Sequence, residues 1–431
     1  MRVFQFLCFL VLNCCRSAFA IAPLIAEVAV ELRPVPFFKN ADESTLGSPE
    51  IGVIVTVLAN LELKLNLAEF SEASSIVRYI GDSIAGITDN GKAFTMGIIS
   101  QVNPSASGRW ASLPVLHSVG PMKVVDLNMS GIYQSSAKID AEGLIIDSAN
   151  SNSLPEKPAY VLIEELKGGS IAKYKNFTSV MFHESPLTMT ILPTVCPVDE
   201  RGNGFESLAR LDERKFLVGC EGGVQQTVGG KNVHLNTALL VELTPTGGIL
   251  TQKKLNIVSR HGLQMVEMRI VGDRVFTLWR KYWTSDGRLH IALDWFDRKS
   301  LKDLQVPIEP RPIFFLEKTK HEIDNFESMI VTQDDEACKT QIRGAATSDC
   351  FRILLMSDEN GKAYQKTLLQ EFGIELPKMS SSAVDDNKKD APVVHGTTST
   401  PELVFVGVLA FIVLAIGACV WFKCRAKPVK V

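Results

Sequence analysis

The sequence predicts an all-β protein. Its expected form is a β-propeller of six blades, with five as the alternative, followed by one C-terminal transmembrane helix. Three observations carry that expectation. Short apolar runs such as "KAFTMGII", "AYVLIEEL", "RVFTLWRKYW", "LHIALDWFD" and "FRILLMSD" dominate, separated by turn signals such as Asp89-Asn90-Gly91 and Asp286-Gly287. A glutamate-bearing strand returns about every 60 residues, which is the period of a four-stranded blade. Twenty consecutive uncharged residues stand near the C-terminus.

From the N-terminus, residues 1–20 read as a secretory signal peptide. Arg2 precedes the apolar "VFQFLCFLVLNCC", and Ala18 and Ala20 supply the small residues of a cleavage site before Ile21. Residues 21–378 form the propeller ectodomain. Residues 379–402, rich in Ser, Thr, Asp and Lys and poor in large apolar groups, read as a disordered stalk. "LVFVGVLAFIVLAIGACVWF", residues 403–422, is long enough to cross a bilayer. Lys423, Arg425, Lys427 and Lys430 in the tail, residues 423–431, place it in the cytosol by the positive-inside rule. The chain is thus expected to be a single-pass type I membrane protein, extracellular or lumenal in its bulk, with the plasma membrane as the default location.

That compartment is oxidising. Of nine cysteines, Cys196, Cys220, Cys338 and Cys350 fall in the ectodomain, and local pairing predicts Cys196–Cys220 and Cys338–Cys350 disulfides. Asn128-Met129-Ser130 and Asn176-Phe177-Thr178 are glycosylation sequons and predict exposed loops. A formal net charge of −3 gives no reason to expect nucleic acid as a partner.

Within the repeat, "DAEGLII" carries Glu142, "NGFESLAR" Glu206, "QMVEMRI" Glu267 and "DNFESMIV" Glu327, and "GDSIAGIT" places Ser83 one step earlier. Each unit then runs through a turn into a second apolar strand that ends in a polar group. Those ends are Glu164-Glu165, Glu221, Arg280 and Asp358, with Gly97-Ile98 in the first unit. Circular repetition returns equivalent positions to one radius, so these glutamates are expected to ring one end of the central channel. Like charges at that spacing need a cation or basic neighbours. Two roles fit: a structural latch that bonds main-chain amides of the next blade, or a cation or substrate site. In the second role Glu142, Glu206, Glu327 and Asp358 are the candidate metal ligands, hard oxygen donors suited to Ca²⁺. Arg280 is the candidate catalytic residue, placed to grip a phosphate or carboxylate, with a plain salt bridge as its alternative role.

The order Asp140-Ala141-Glu142-Gly143, Asn203-Gly204-Phe205-Glu206-Ser207-Leu208-Ala209, Leu278-Trp279-Arg280, Asn325-Phe326-Glu327 and Ser357-Asp358-Glu359-Asn360 resembles the motif series of the phytase-like domain family, named for an esterase-like activity of phytase. The resemblance spans roughly residues 81–376 and implies a propeller with hydrolase-like chemistry on esters or phosphoesters. Trp279 stands where the family has glutamate, and Ser207 and Ser328 stand where it has glycine. A non-catalytic surface propeller that binds a protein or glycan is the alternative function.

Overall fold

In the computed structural model, the described residues are 26–39, 46–48, 51–65, 73–102, 110, 112–127, 139–146, 157–165, 168–197, 204–228, 230–282, 289–339, 348–358 and 365–379. They build five antiparallel sheets. The chain begins with β1 (Ala26–Val28), β2 (Val30–Pro34), β3 (Leu46–Ser48) and β4 (Val53–Leu65). The first blade then runs outward as β5 (Ala73–Arg78), β6 (Ser83–Thr88), β7 (Lys92–Val102) and β8 (Pro114–Asp126), and β1 pairs onto its outer edge.

The second blade comprises β9 (Asp140–Ile146), β10 (Ala159–Glu165), β11 (Gly168–Tyr174), the short helix α1 (Phe177–Met181) and β12 (Thr188–Leu192). The third holds β13 (Phe205–Arg210), β14 (Lys215–Val228), β15 (Lys231–Leu243) and β16 (Ile249–Ser259). The fourth holds β17 (Gln264–Val271), β18 (Arg274–Tyr282), β19 (Leu289–Asp297) and β20 (Arg311–Glu317). The fifth contains β21 (Asn325–Gln333), the helix α2 (Asp335–Lys339), β22 (Ser348–Asp358) and β23 (Thr367–Pro377). Here β4 pairs with β23 and carries β2 and β3 with it, so N-terminal chain completes the C-terminal blade.

The innermost strands β5, β9, β13, β17 and β21 lie side by side, each against the next, and β21 closes on β5. The fold is a five-bladed β-propeller. Closure in a ring protects most sheet edges, as radial repetition does generally. Six blades, the primary expectation, are corrected to five. The chain counted toward a sixth blade is used elsewhere: β1 extends the first sheet, and β2, β3 and β4 extend the last. The core is the set of apolar layers between blades. Phe94, Trp110, Phe205, Phe216, Phe276, Trp279, Phe326 and Phe372 are among its largest fully buried side chains.

Both predicted disulfides are present, with Cα separations of 5.5 Å for Cys196–Cys220 and 5.6 Å for Cys338–Cys350. Asn176 is the N-cap of α1, where its side chain accepts a hydrogen bond from the Ser179 amide and is half-buried rather than fully exposed. The signal peptide, most of the stalk, the segment 403–422, the tail and Asn128 lie outside the described residues. Among the described residues no helix is long and apolar enough to cross a membrane.

Candidate functional site

Every innermost strand contains the same irregularity. Pairing with the second strand skips one residue: Ser74 in β5, Glu142 in β9, Glu206 in β13, Val266 in β17 and Glu327 in β21. A β-bulge re-aims the skipped side chain. The five bulges therefore define one equivalent position per blade, near the N-terminal end of each inner strand.

This register corrects two assignments made from the repeat. Ser83 lies on the second strand of its blade, β6, and the true counterpart of the glutamates is Ser74. Glu267 stands one residue past its bulge, at the position of Ser75, Gly143, Ser207 and Ser328. A one-residue slip exchanges the faces of a strand, so Glu267 is separated from the other three glutamates. It is fully buried.

Glu267 belongs to a hub on the propeller axis. Its carboxylate accepts from the Ser75 hydroxyl at 3.0 Å and the Met268 amide at 2.9 Å, and pairs with Arg269 at 2.8 Å. Arg269 also donates to the carbonyl oxygens of Met329 on β21 at 2.8 Å, Leu208 on β13 at 3.3 Å and Ile76 on β5 at 2.8 Å. Ser75 Oγ further accepts from Arg269 at 2.9 Å and from the Leu144 amide of β9 at 3.0 Å. One arginine, one glutamate and one serine thus tie all five blades together. Burial drives the Glu267 carboxyl up from its ordinary range, while Arg269, the Met268 amide and Ser75 draw it back. Glu267 is thus structural, but it bonds the Ser75 hydroxyl, Arg269 and the amide of its own neighbour Met268 rather than a main-chain amide of the next blade, as the latch expectation had it.

The other glutamates form a different structure. The second strand of each blade passes the bulge, and the residue just beyond the bulged pairing is Asp89, Glu164, Glu221, Arg280 or Asp358 in turn. For the first blade this replaces Gly97-Ile98 by Asp89. Two tiers of side chains, polar except for Val266, therefore surround one mouth of the channel, and they divide into two arcs.

In one arc, Arg280 spans three blades. It pairs with Glu221 at 2.6 Å, donates to Asn325 Oδ1 at 2.8 Å and pairs with Glu327. Asn325 Nδ2 donates to Glu327 at 2.7 Å. The candidate catalytic arginine is thus held in a salt-bridge network, and Glu327 is neutralised by it. Asp358 pairs through its backbone with Asn325 at this end, and its side chain lies outside the described set.

In the other arc the carboxylates face one another. Oxygens of Asp89, Asp140 and Glu142 lie within 4.8 Å of each other, as do those of Glu142, Glu164 and Glu206. Glu142 joins the two groups. Ser74 Oγ donates to Asp89. Among the described residues, no main-chain amide donates to the carboxylate of Glu142 or Glu206. Burial pushes the Glu142 carboxyl well up, and the charges of Glu206, Asp89 and Asp140 push it further. Glu206 is likewise raised well above the carboxylate range by burial and by Glu221, against the pull of Arg280. Glu164 is pushed up to about 8 by burial, then by Asp140 and Glu221. Such a cluster holds protons at neutral pH unless a cation replaces them.

Local sequence explains how the cluster fits. A methyl group at Gly204 would collide with the Glu164 carboxylate, so glycine before Phe205 leaves the space that this acid occupies. A methyl group at Gly143 would stand 2.7 Å from Leu208 Cβ, so the second blade can close on the third only with glycine there.

Of the expected ligands, Glu142 and Glu206 converge, and Glu327 is claimed by Arg280. Asp89, Asp140 and Glu164 complete the acidic arc. Glu164 was legible as a strand end, and Asp140 sat in the quoted motif. Asp89 was hidden by placing the first unit one strand too late. All-carboxylate oxygen donors are the set that hard divalent cations such as Ca²⁺ or Mg²⁺ prefer.

No protein-family model matches the chain, and no curated protein matches it. Solved structures similar to it include Drosophila Semaphorin 2a, at 8% identity and a TM-score of 0.31, covering 80% of this chain and 69% of that one. The β-propeller domain of Cps50 (Swd1) from Myceliophteria thermophila matches at 9% identity and a TM-score of 0.29, covering 79% and 99%. An endo-arabinase from Bacteroides thetaiotaomicron matches at 9% identity and a TM-score of 0.33, covering 73% and 96%. These likenesses add nothing to the propeller already evident from sheet order.

Proposed function

We propose that this chain is a membrane-anchored, divalent-cation-binding propeller of the phytase-like kind, and that the cation serves hydrolysis of an ester or phosphoester. The single observation that carries the reading is the arc of Asp89, Asp140, Glu142, Glu164 and Glu206. Three blades bring these carboxylates together as two overlapping groups that share Glu142, and among the described residues no main-chain amide donates to Glu142 or Glu206. Burying so many like charges is costly unless they are protonated or share a cation. Ca²⁺ is the natural choice, with Glu142 shared between the two halves of the site. When bound, such an ion polarises an ester oxygen and offsets developing negative charge. The chain's own contribution is to hold the carboxylates fixed on inner strands, with Arg280 next to them to orient an anionic substrate. The motif resemblance to the phytase-like family supports the same chemistry.

The arc is tested on the purified full chain by adding CaCl₂ during thermal unfolding. A specific site raises the melting temperature by mass action, and Glu142→Gln and Glu206→Gln each abolish the rise. No calcium-dependent shift would sink the cation reading. Turnover of p-nitrophenyl phosphate and p-nitrophenyl acetate, with and without Ca²⁺, then examines the reaction. Calcium binding without turnover selects the second reading, a non-catalytic surface propeller for a protein or glycan. That reading is favoured by one observation, the engagement of Arg280 by Glu221 and Glu327.

A further inference from the structure

The C-terminal ends of the same five inner strands line a cavity of about 820 Å³. Its composition follows from the bulge register. Four residues beyond each bulge stand Arg78 on β5, Ile146 on β9, Arg210 on β13, Ile270 on β17 and Val331 on β21, and all five line the cavity. At the acidic mouth the equivalent ring reads Ser, Glu, Glu, Val, Glu. Here it reads Arg, Ile, Arg, Ile, Val. The same circular repetition gives the two ends opposite character, and the Glu267–Arg269 hub lies between the two sets of positions along the inner strands.

Charge at this second site is positive. Beyond Arg78 and Arg210, the charged lining groups are Lys157, Arg269, Asp212 and Glu213. Arg269 is already paired with Glu267. Asp212 is occupied by its own turn, accepting from the Arg214 and Lys215 amides at 3.0 and 2.9 Å and pairing with Lys215 at 3.5 Å. Glu213 is exposed. The arginines are steadied from the side. Arg210 Nε donates to Asp212 O at 2.7 Å and its guanidinium lies 5.6 Å from the centre of the Tyr160 ring. Arg78 has Asp82 at 3.8 Å, an exposed pair of little strength. The volume is that of a small-molecule site, and guanidinium groups beside aliphatic walls suit one ligand chemistry.

We propose that this cavity binds a small organic anion with an apolar body, its anionic group met by Arg78 and Arg210 and its body by Ile146, Ile270 and Val331. The site is separate from the acidic mouth and does not depend on cation binding there.

The test is isothermal titration of the full chain in lipid nanodiscs. The probes are 4-phenylbutyrate and phenyl phosphate, with 4-phenylbutanol and inorganic phosphate as controls. One or both organic anions should bind saturably, and whichever binds shows whether a carboxylate or a phosphate head is accepted. The neutral alcohol and the bare phosphate should bind at least tenfold more weakly. Arg78→Gln and Arg210→Gln should each weaken the organic anion at least tenfold, the scale of losing one charged hydrogen bond. Arg78→Lys and Arg210→Lys should retain most of the affinity. Glu206→Gln at the other mouth should leave it unchanged, which separates this site from the cation site. A melting temperature within about 1 °C of the parent qualifies each variant as folded, and the lysine variants serve where a glutamine variant fails that check. The proposal is overturned if neither organic anion binds, if the alcohol binds as well as the anion, or if the arginine substitutions leave binding intact.

Discussion

Replacing Arg269 by methionine removes a cation on the axis that bonds carbonyls of three other blades. The substitution keeps an unbranched apolar stem, shorter than that of arginine, and deletes the charge. Glu267, fully buried, is then left without its partner 2.8 Å away, and the carbonyls of Met329, Leu208 and Ile76 lose their donor. Breaking a buried pair from one side costs about 3–5 kcal/mol, and the orphaned carbonyls add to that. Protonation of Glu267 limits the total, so about 4 kcal/mol is expected. With about 2.1 cal/mol/K of unfolding entropy per residue and about 350 residues, the melting temperature falls by roughly 5 °C. Glu267→Gln costs less, because Arg269 keeps its carbonyl partners. The double variant should be less destabilised than the two singles combined, by about 2 kcal/mol, because the unpaired charge is gone from both sides. The assay is calorimetric unfolding in EDTA at pH 7 for the parent, both singles and the double. A single-variant loss under 1 kcal/mol, or additivity within about 0.5 kcal/mol, would refute the idea that this hub locks the ring.

Three further outcomes follow from the acidic mouth. Glu164 has a folded pKa of about 8 against 4.5 in an unfolded chain, and Glu142 and Glu206 are raised in the same sense. The folded state therefore holds more protons between these values. In EDTA the melting temperature should fall as pH rises from 5 to 8, and Glu164→Gln should flatten that slope; a rising or level profile would contradict the cluster. The three atoms nearest a methyl group at Gly204 all belong to the Glu164 side chain, which can turn aside, so for Gly204→Ala stability should drop by less than about 1 kcal/mol while calcium affinity, read by titration calorimetry, falls at least tenfold. Arg280→Met releases Glu221 and Glu327 from a largely buried pair. It should cost about 3 kcal/mol without metal, part of which excess Ca²⁺ restores, as a melting curve at two calcium concentrations would show.

Much of this architecture was legible in the chain because a propeller writes its symmetry into the sequence. "DAEGLII", "NGFESLAR" and "DNFESMIV" are inner strands bearing the bulged acid, and they fall where the period places them. Both disulfides follow from local spacing. Blade number was less legible, because β1 to β4 carry ordinary strand patterns and nothing local says that they finish other blades. The first unit was misplaced for a related reason. "GDSIAGIT" looks more like a repeat start than "EASSIVR", since the bulge residue there is Ser74 and the acid has moved to Asp89 across the hairpin. Salt-bridge partners such as Glu221 and Glu327 for Arg280 depend on inter-blade distances, which the period alone does not contain.

The fourth blade shows how one residue of register divides two roles. In β9, β13 and β21 the glutamate occupies the bulge, where the re-aimed side chain reaches the mouth of the channel. In β17 the bulge residue is Val266 and the glutamate follows it. That step turns the carboxylate onto the axis, into a layer where the other blades present Ser75, Gly143, Ser207 and Ser328. Four small residues leave room for one large acid, and Arg269, two positions further on the same strand, supplies the charge that the acid needs there. The vacancy left at the mouth by Val266 is covered by Arg280 from the adjoining strand, which neutralises Glu221 and Glu327 on either side. Among the described residues, the carboxylate cluster is thereby confined to the first three blades. A ring of equivalent glutamates would repel evenly and give no preferred place for an ion. Displacing one glutamate by one residue yields a lock on the axis and concentrates the remaining carboxylates into a single pocket-sized group.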